Sequence, residues 1–95
     1  MAWKTPKLRS FARAILSFNK EEELLDFLRD VHTLEELEEV SNRWQIVQLL
    51  NNGMSYRAVA KEAGVSTTTV TRIAHWMKHG KGGYTKALKQ ADTKE

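Results

Sequence analysis

Over residues 55–77 the chain reads SYRAVAKEAGVSTTTVTRIAHWM, and no other segment restricts the fold so tightly. Ser55 and Ser66 each stand where a hydroxyl caps a helix N-terminus, which predicts helices over about 56–63 and 67–78. Between them Gly64 supplies the left-handed backbone that a tight turn requires. Val59, Ala60 and Ala63 share one face of the first helix, and Val65 fills the gap at the turn. Val70 and Ile73, with Ala74 beside them, face inward from the second. A residue as small as Ala60 lets two helices cross closely, so this spacing predicts a helix-turn-helix. The run Thr67 to Thr71 is β-prone taken alone, but the caps around it favour helix.

The rest of the chain extends the helical pattern. Few turn-formers (five Gly, one Pro) in 95 residues favour helices joined by short connections. Pro6 suits a first helical turn, and Leu8, Phe11, Ala12, Ile15, Leu16 and Phe18 predict a helix over about 6–18. Asn19 is the expected N-cap of a second helix over about 20–31, with Glu21, Glu22 and Glu23 in its first turn. Thr33 and Glu36 have capping-box spacing and open a third helix, running to about Asn51 and stopped by Asn51-Asn52-Gly53. Its main stripe is Leu37, Val40, Trp44, Val47 and Leu50, with Ile46 and Leu49 widening it. After Gly80, residues 84–90 predict a short last helix, and the polar end is expected to fray. The expectation is an all-α single domain over 1–95. Within it, about 6–52 forms a helical core, 53–79 the helix-turn-helix head, and 80–95 a short helix and tail.

Several function classes drop out. The absence of cysteine excludes disulfides, thiolate catalysis and Cys-based metal sites. His75 and His79 are four apart, a spacing that can hold a metal, but no third ligand accompanies them and no metal site is expected. No stretch approaches a membrane span. The basic N-terminus is interrupted by Arg13 and lacks a clean cleavage site, so it reads as part of a cytoplasmic protein. Glu35, Glu36, Glu38 and Glu39 read as a solvated face, and Trp44 and Trp76 as core residues. With no nucleophile–base pair and no phosphate-cradling glycine loop, no enzyme is expected.

Charge is unevenly spread along the chain. Residues 21–40 carry nine acids against Arg29 alone, whereas 53–89 carry seven Lys and Arg against Glu62. Such asymmetry suits a protein that turns one face to a polyanion. The second helix of the turn motif would place Thr67, Thr68 and Thr71 against base edges of double-stranded DNA. Arg57 is a further candidate for base contact. Tyr56, Lys61, Ser66, Lys78 and Lys81 suit phosphate contacts. The same packing pattern would also fit a plain helical corner with solvated threonines. An alternative reading is therefore a helical dimer acting as a protein–protein interaction module.

Over Thr33–Lys78, and most strongly over MSYRAVAKEAGVSTTTVTR (54–72), the sequence resembles the Trp repressor family, in its YerC/YecD-type branch. The stretch TLEELEEVSNRWQIVQLLNNG resembles that family's long central helix. The resemblance implies an intertwined homodimer of about six helices per chain, acting as a transcriptional regulator, by expectation a repressor. The apolar helices at 6–18 and 20–31 agree with dimerisation. In the tryptophan-responsive repressor L-tryptophan lies between two arginines, matched by position here by Arg43 and Arg72, with Thr33 matching a threonine. Ile73 stands where that repressor has glycine, and Trp76 where it has serine. Both add bulk to the ligand's place, so Thr33, Arg43, Arg72, Ile73 and Trp76 read as a vestigial pocket. No cofactor is expected, L-tryptophan included.

Overall fold

A computed structural model describes residues 2–93, which form six helices. They are α1 (Pro6–Leu16), α2 (Glu21–Val31), α3 (Leu34–Asn51), α4 (Tyr56–Ala63), α5 (Thr67–His79) and α6 (Gly83–Thr93). Among the described residues there is no strand, and the threonine run is helical as its caps predict. Of the polar end expected to fray after residue 90, residues 91–93 continue α6, and residues 94 and 95 lie outside those described. The chain divides into two compact units, Met1–Leu37 and Glu38–Glu95.

In the first unit Thr5 caps α1, its hydroxyl oxygen accepting the Leu8 N–H at 3.1 Å, with Pro6 in the first turn. The helix stops at Leu16, two residues before the expected Phe18. There the Ser17 hydroxyl donates to the Ala14 carbonyl at 2.6 Å, a side-chain bond that competes with helix continuation. Phe18 still contributes to packing, its ring 5.3 Å from Phe27, and Phe11 stands 6.0 Å from the same ring.

The start of α2 corrects the expectation for Asn19. Lys20 occupies the N-cap with extended backbone, and no side chain caps the helix. Glu21, Glu22 and Glu23 fill the first turn, where the helix dipole favours negative charge without a capping bond. The capping box at α3 forms as predicted. The Glu36 N–H donates to the Thr33 hydroxyl at 3.0 Å, and the Thr33 N–H donates to the Glu36 carboxylate at 2.8 Å. The backbone bond from Thr33, followed by the Thr33 side chain, holds the Glu36 carboxyl below its ordinary value. No residue of α1 or α2 is buried, and Leu8, Leu16, Leu25 and Val31 stay exposed along these helices.

The second unit has a small, closed interior. Ile46, Val47, Val59 and Val70 are at most 1% exposed, so α3, α4 and α5 meet at these four branched side chains. Ala60 and Ile73 complete the cluster, and Trp44, Leu49, Leu50, Val65 and Met77 pack around it. Ile46, expected only to widen the α3 stripe, lies at its centre, while Val40 is exposed. The stripe is shifted because α4 and α5 approach the last turns of α3. From α6, longer than the expected 84–90, Tyr84 and Leu88 also reach the cluster.

Glycines set the joints. Gly64 follows α4 with φ +70°, and the Val65 N–H returns to the Ala60 carbonyl at 3.0 Å, closing the last turn. At Gly80 an added Cβ would stand 2.6 Å from the Trp76 carbonyl oxygen, so this exit from α5 leaves no room for a side chain.

Two stability outcomes are expected. A Cβ at Gly64 would meet nothing within 4 Å, so Gly64→Ala acts through backbone conformation alone. It should lose about 1–2 kcal/mol in denaturant unfolding at fixed protein concentration, and Gly64→Asn should lose less. For Glu36, a lowered folded-state pKa stabilises the fold above the unfolded carboxylate value and loses that contribution as pH falls through the folded value. Glu36→Gln should therefore be less stable than the parent at neutral pH. The difference should close on acidification below an ordinary value of 4.5.

Candidate nucleic-acid interface

The sequence of α4, the turn and α5 produces two helices with opposite assignments for their faces. Inward, Val59, Ala60, Val70, Ile73 and Ala74 are buried. Burying a Val or Ile side chain contributes about 1.5–3 kcal/mol, so this face is fixed by packing. Outward, Tyr56, Arg57 and Lys61 on α4 and Thr67, Thr68 and Thr71 on α5 are exposed.

Both serine caps form. The Ser55 hydroxyl accepts the Ala58 N–H at 3.2 Å, and the Ser66 hydroxyl accepts the Thr69 N–H at 3.1 Å. Thr69 is also within 3.2 Å of the Ser66 hydroxyl through its own Oγ1, which ties this half-buried threonine to the cap. Its neighbours are not so tied. Among the described residues the Thr67 and Thr68 hydroxyls have no hydrogen-bond partner, so each can donate or accept. The Thr71 hydroxyl donates to the Thr67 carbonyl at 2.9 Å. Its proton is occupied, and what it presents outward is an acceptor oxygen and a methyl group.

Thr67, Thr68, Thr71, Arg72 and His75 line one open hollow along α5. The helix carries no acid, and its charged residues are Arg72 and Lys78. Lys78 is exposed in its last turn, and Lys81 is exposed in the connection to α6. The nine residues expected at DNA thus all lie on the surface of α4, the turn, α5 and the segment after it. His75, read from the sequence only for its spacing to His79, also lines this hollow, four residues after Thr71 on the same helical row.

Of the five positions read as a pocket, four come together. Arg43, Arg72, Ile73 and Trp76 line a groove of about 270 Å³ with Tyr84 from α6. Ile73 is buried, whereas Trp76 is 56% exposed and forms a wall of this groove, correcting its reading as a core residue. The reason is the helical angle: Ile73 and Ala74 take the inward positions, and Trp76 falls outside them. Thr33 lies in the first unit, its hydroxyl engaged in capping α3. Arg43 forms an ion pair with Glu39 at 2.6 Å, both side chains more than half exposed. An i, i+4 Glu–Arg spacing announces such a pair, which exposure and screening keep weak. Tyr84 had no comparable signal, because its place depends on the path through Gly80 and Gly82.

Comparison with known proteins agrees with this geometry. A family model described as Trp repressor protein matches residues 6–92. The uncharacterized protein YerC of Bacillus subtilis (strain 168) is 29% identical over 82 residues, spanning 86% of this chain and 79% of that one. Among solved structures, a TrpR-like protein from Eubacterium eligens ATCC 27750 superposes with a TM-score of 0.88 at 29% identity, covering 94% of this chain and 92% of the other. A candidate Trp repressor from Staphylococcus aureus gives 0.87 at 28% identity, covering 94% and 89%. With the match running from the first helix through the last, the chain belongs to the Trp repressor family.

Proposed function

We propose that this protein is a cytoplasmic transcriptional regulator that binds a pseudo-palindromic operator as a homodimer, acting as a repressor. The observation that carries this reading is the outer row of α5. Thr67, Thr68 and Thr71 are exposed on an acid-free helix held rigidly from behind by Val70 and Ile73. Threonine suits major-groove reading because it offers a hydroxyl to base edges and a methyl to thymine. Arg57 adds a base contact, and Tyr56, Lys61, Ser66, Lys78 and Lys81 hold phosphates, fixing the register of the helix in the groove.

Dimerisation is supported by the first unit, where two amphipathic helices leave Leu8, Leu16, Leu25 and Val31 exposed and bury nothing fully. A second copy would cover such surface, giving two reading heads on a two-fold axis. Their half-sites should then lie roughly 34–36 Å apart. L-Tryptophan is not the effector in this proposal. Ile73 and Trp76 put large apolar side chains into the lining of the groove beside Arg43 and Arg72, and Glu39 already pairs with one of the two guanidinium groups.

Selection of bound duplexes from a random pool tests the assignment and should return paired half-sites. Binding to the selected duplex should weaken steeply with salt, and Lys81→Ala should lower the log–log salt slope by about one while weakening all sequences alike. Thr68→Ala or Thr71→Ala should instead relax preference at one position of the half-site, by about 1 kcal/mol. If no duplex is retained even at low salt, the interaction-module reading replaces this one. Calorimetry with L-tryptophan should register no binding, and micromolar affinity would return that ligand to the mechanism.

A further inference from the structure

The outer surface of α5 carries a second group of side chains beyond the threonines. His75 and His79 are both exposed, four residues apart, with ring centroids 4.5 Å apart and a tilt of 37°. We propose that this imidazole pair is a bidentate site for a late first-row divalent metal ion on the last turns of α5.

Three features support it. First, the spacing places both rings on one helical row, the arrangement that lets two histidines of one helix ligate the same ion. Metal–nitrogen bonds near 2.0–2.1 Å require ligating nitrogens about 3 Å apart, and rings with centroids 4.5 Å apart are close enough to turn one nitrogen each toward a shared ion. Second, His79 is the last residue of α5, so the pair spans the last turn, where the helix dipole favours positive charge. That field offsets part of the repulsion from Lys78 on the same turn. Third, His75 has an aromatic neighbour: the Trp76 ring stands in an edge-on arrangement to it, with centroids 5.6 Å apart.

The expectation of no metal site rested on the want of a third protein ligand. Among the described residues no cluster of three His, Asp or Glu side chains exists. A surface chelate does not need one, because water completes the coordination of Ni²⁺, Cu²⁺ or Zn²⁺, all of which accept imidazole. The site is therefore a labile one, distinct from a closed structural centre. Because His75 also lines the hollow of Thr67, Thr68 and Thr71, a bound ion would add positive charge beside that surface. That consequence for DNA rests on the proposed function, whereas the chelate itself does not.

Titration of Ni²⁺ into the untagged full chain, followed by calorimetry without DNA, tests the proposal. The expected result is one ion per chain, with His75→Gln and His79→Gln each weakening affinity at least about tenfold, since each removes the second ligand held at high effective concentration. His32→Gln, which alters a histidine of the other unit, should bind as the parent does. Both α5 positions are exposed, so unchanged helical circular dichroism is expected and separates lost ligation from lost structure. No binding by the parent, or undiminished binding by either α5 variant, would overturn the chelate. A loss on replacing His32 would move the site elsewhere. None of these outcomes depends on whether the protein reads DNA.

Discussion

The contact among Ile46, Val47, Val59 and Val70 is the constraint on which the second unit depends. These four side chains are closed to solvent, and they come from three helices, α3, α4 and α5, with Tyr84 and Leu88 of α6 packed against them. Branched residues have few rotamers, so packing them together fixes the crossing of α4 and α5 and their seat on α3 with little freedom. Ala60 is what permits the close approach, since a longer side chain at that point would separate the two helices. An interior this small has no redundancy. Each buried methyl group contributes to the orientation of α5 as well as to stability.

That dependence explains which parts of the structure were legible in the sequence. Ser55, Gly64 and Ser66 act within a few residues of themselves, through caps and a left-handed turn, so their structural consequences follow from spacing alone. Thr33 and Glu36 belong to the same class, and both bonds of their capping box are present. Asn19 failed for a related reason. A cap is only one way of satisfying a helix start, and three glutamates in the first turn of α2 made it dispensable.

Long-range placement was less legible. Whether Ile46 or Val40 faces the core depends on which turns of α3 the head meets, and periodicity along α3 cannot specify that. The same limit applies to Trp76 and Tyr84. An aromatic on an apolar stripe reads as core until the neighbouring helix is placed, and α6 is placed by a path through Gly80 that excludes a side chain. Tyr84 then joins Trp76 at a groove, leaving the indole as a wall.

α5 divides its circumference into three surfaces that share residues. Val70, Ile73 and Ala74 face the core; Thr67, Thr68 and Thr71 face the open hollow; Trp76 faces the groove with Arg43 and Tyr84. Arg72 borders both the hollow and the groove, and Ile73 borders both the core and the groove. A change of charge in the groove therefore acts on a guanidinium that also borders the hollow of Thr67, Thr68 and Thr71, over a distance short enough that salt screens it incompletely. A change of shape there presses on Ile73, hence on the packing that orients the whole helix. The groove can influence α5 by either route without a hinge or lid, and the Glu39–Arg43 pair already supplies a negative charge from within the chain.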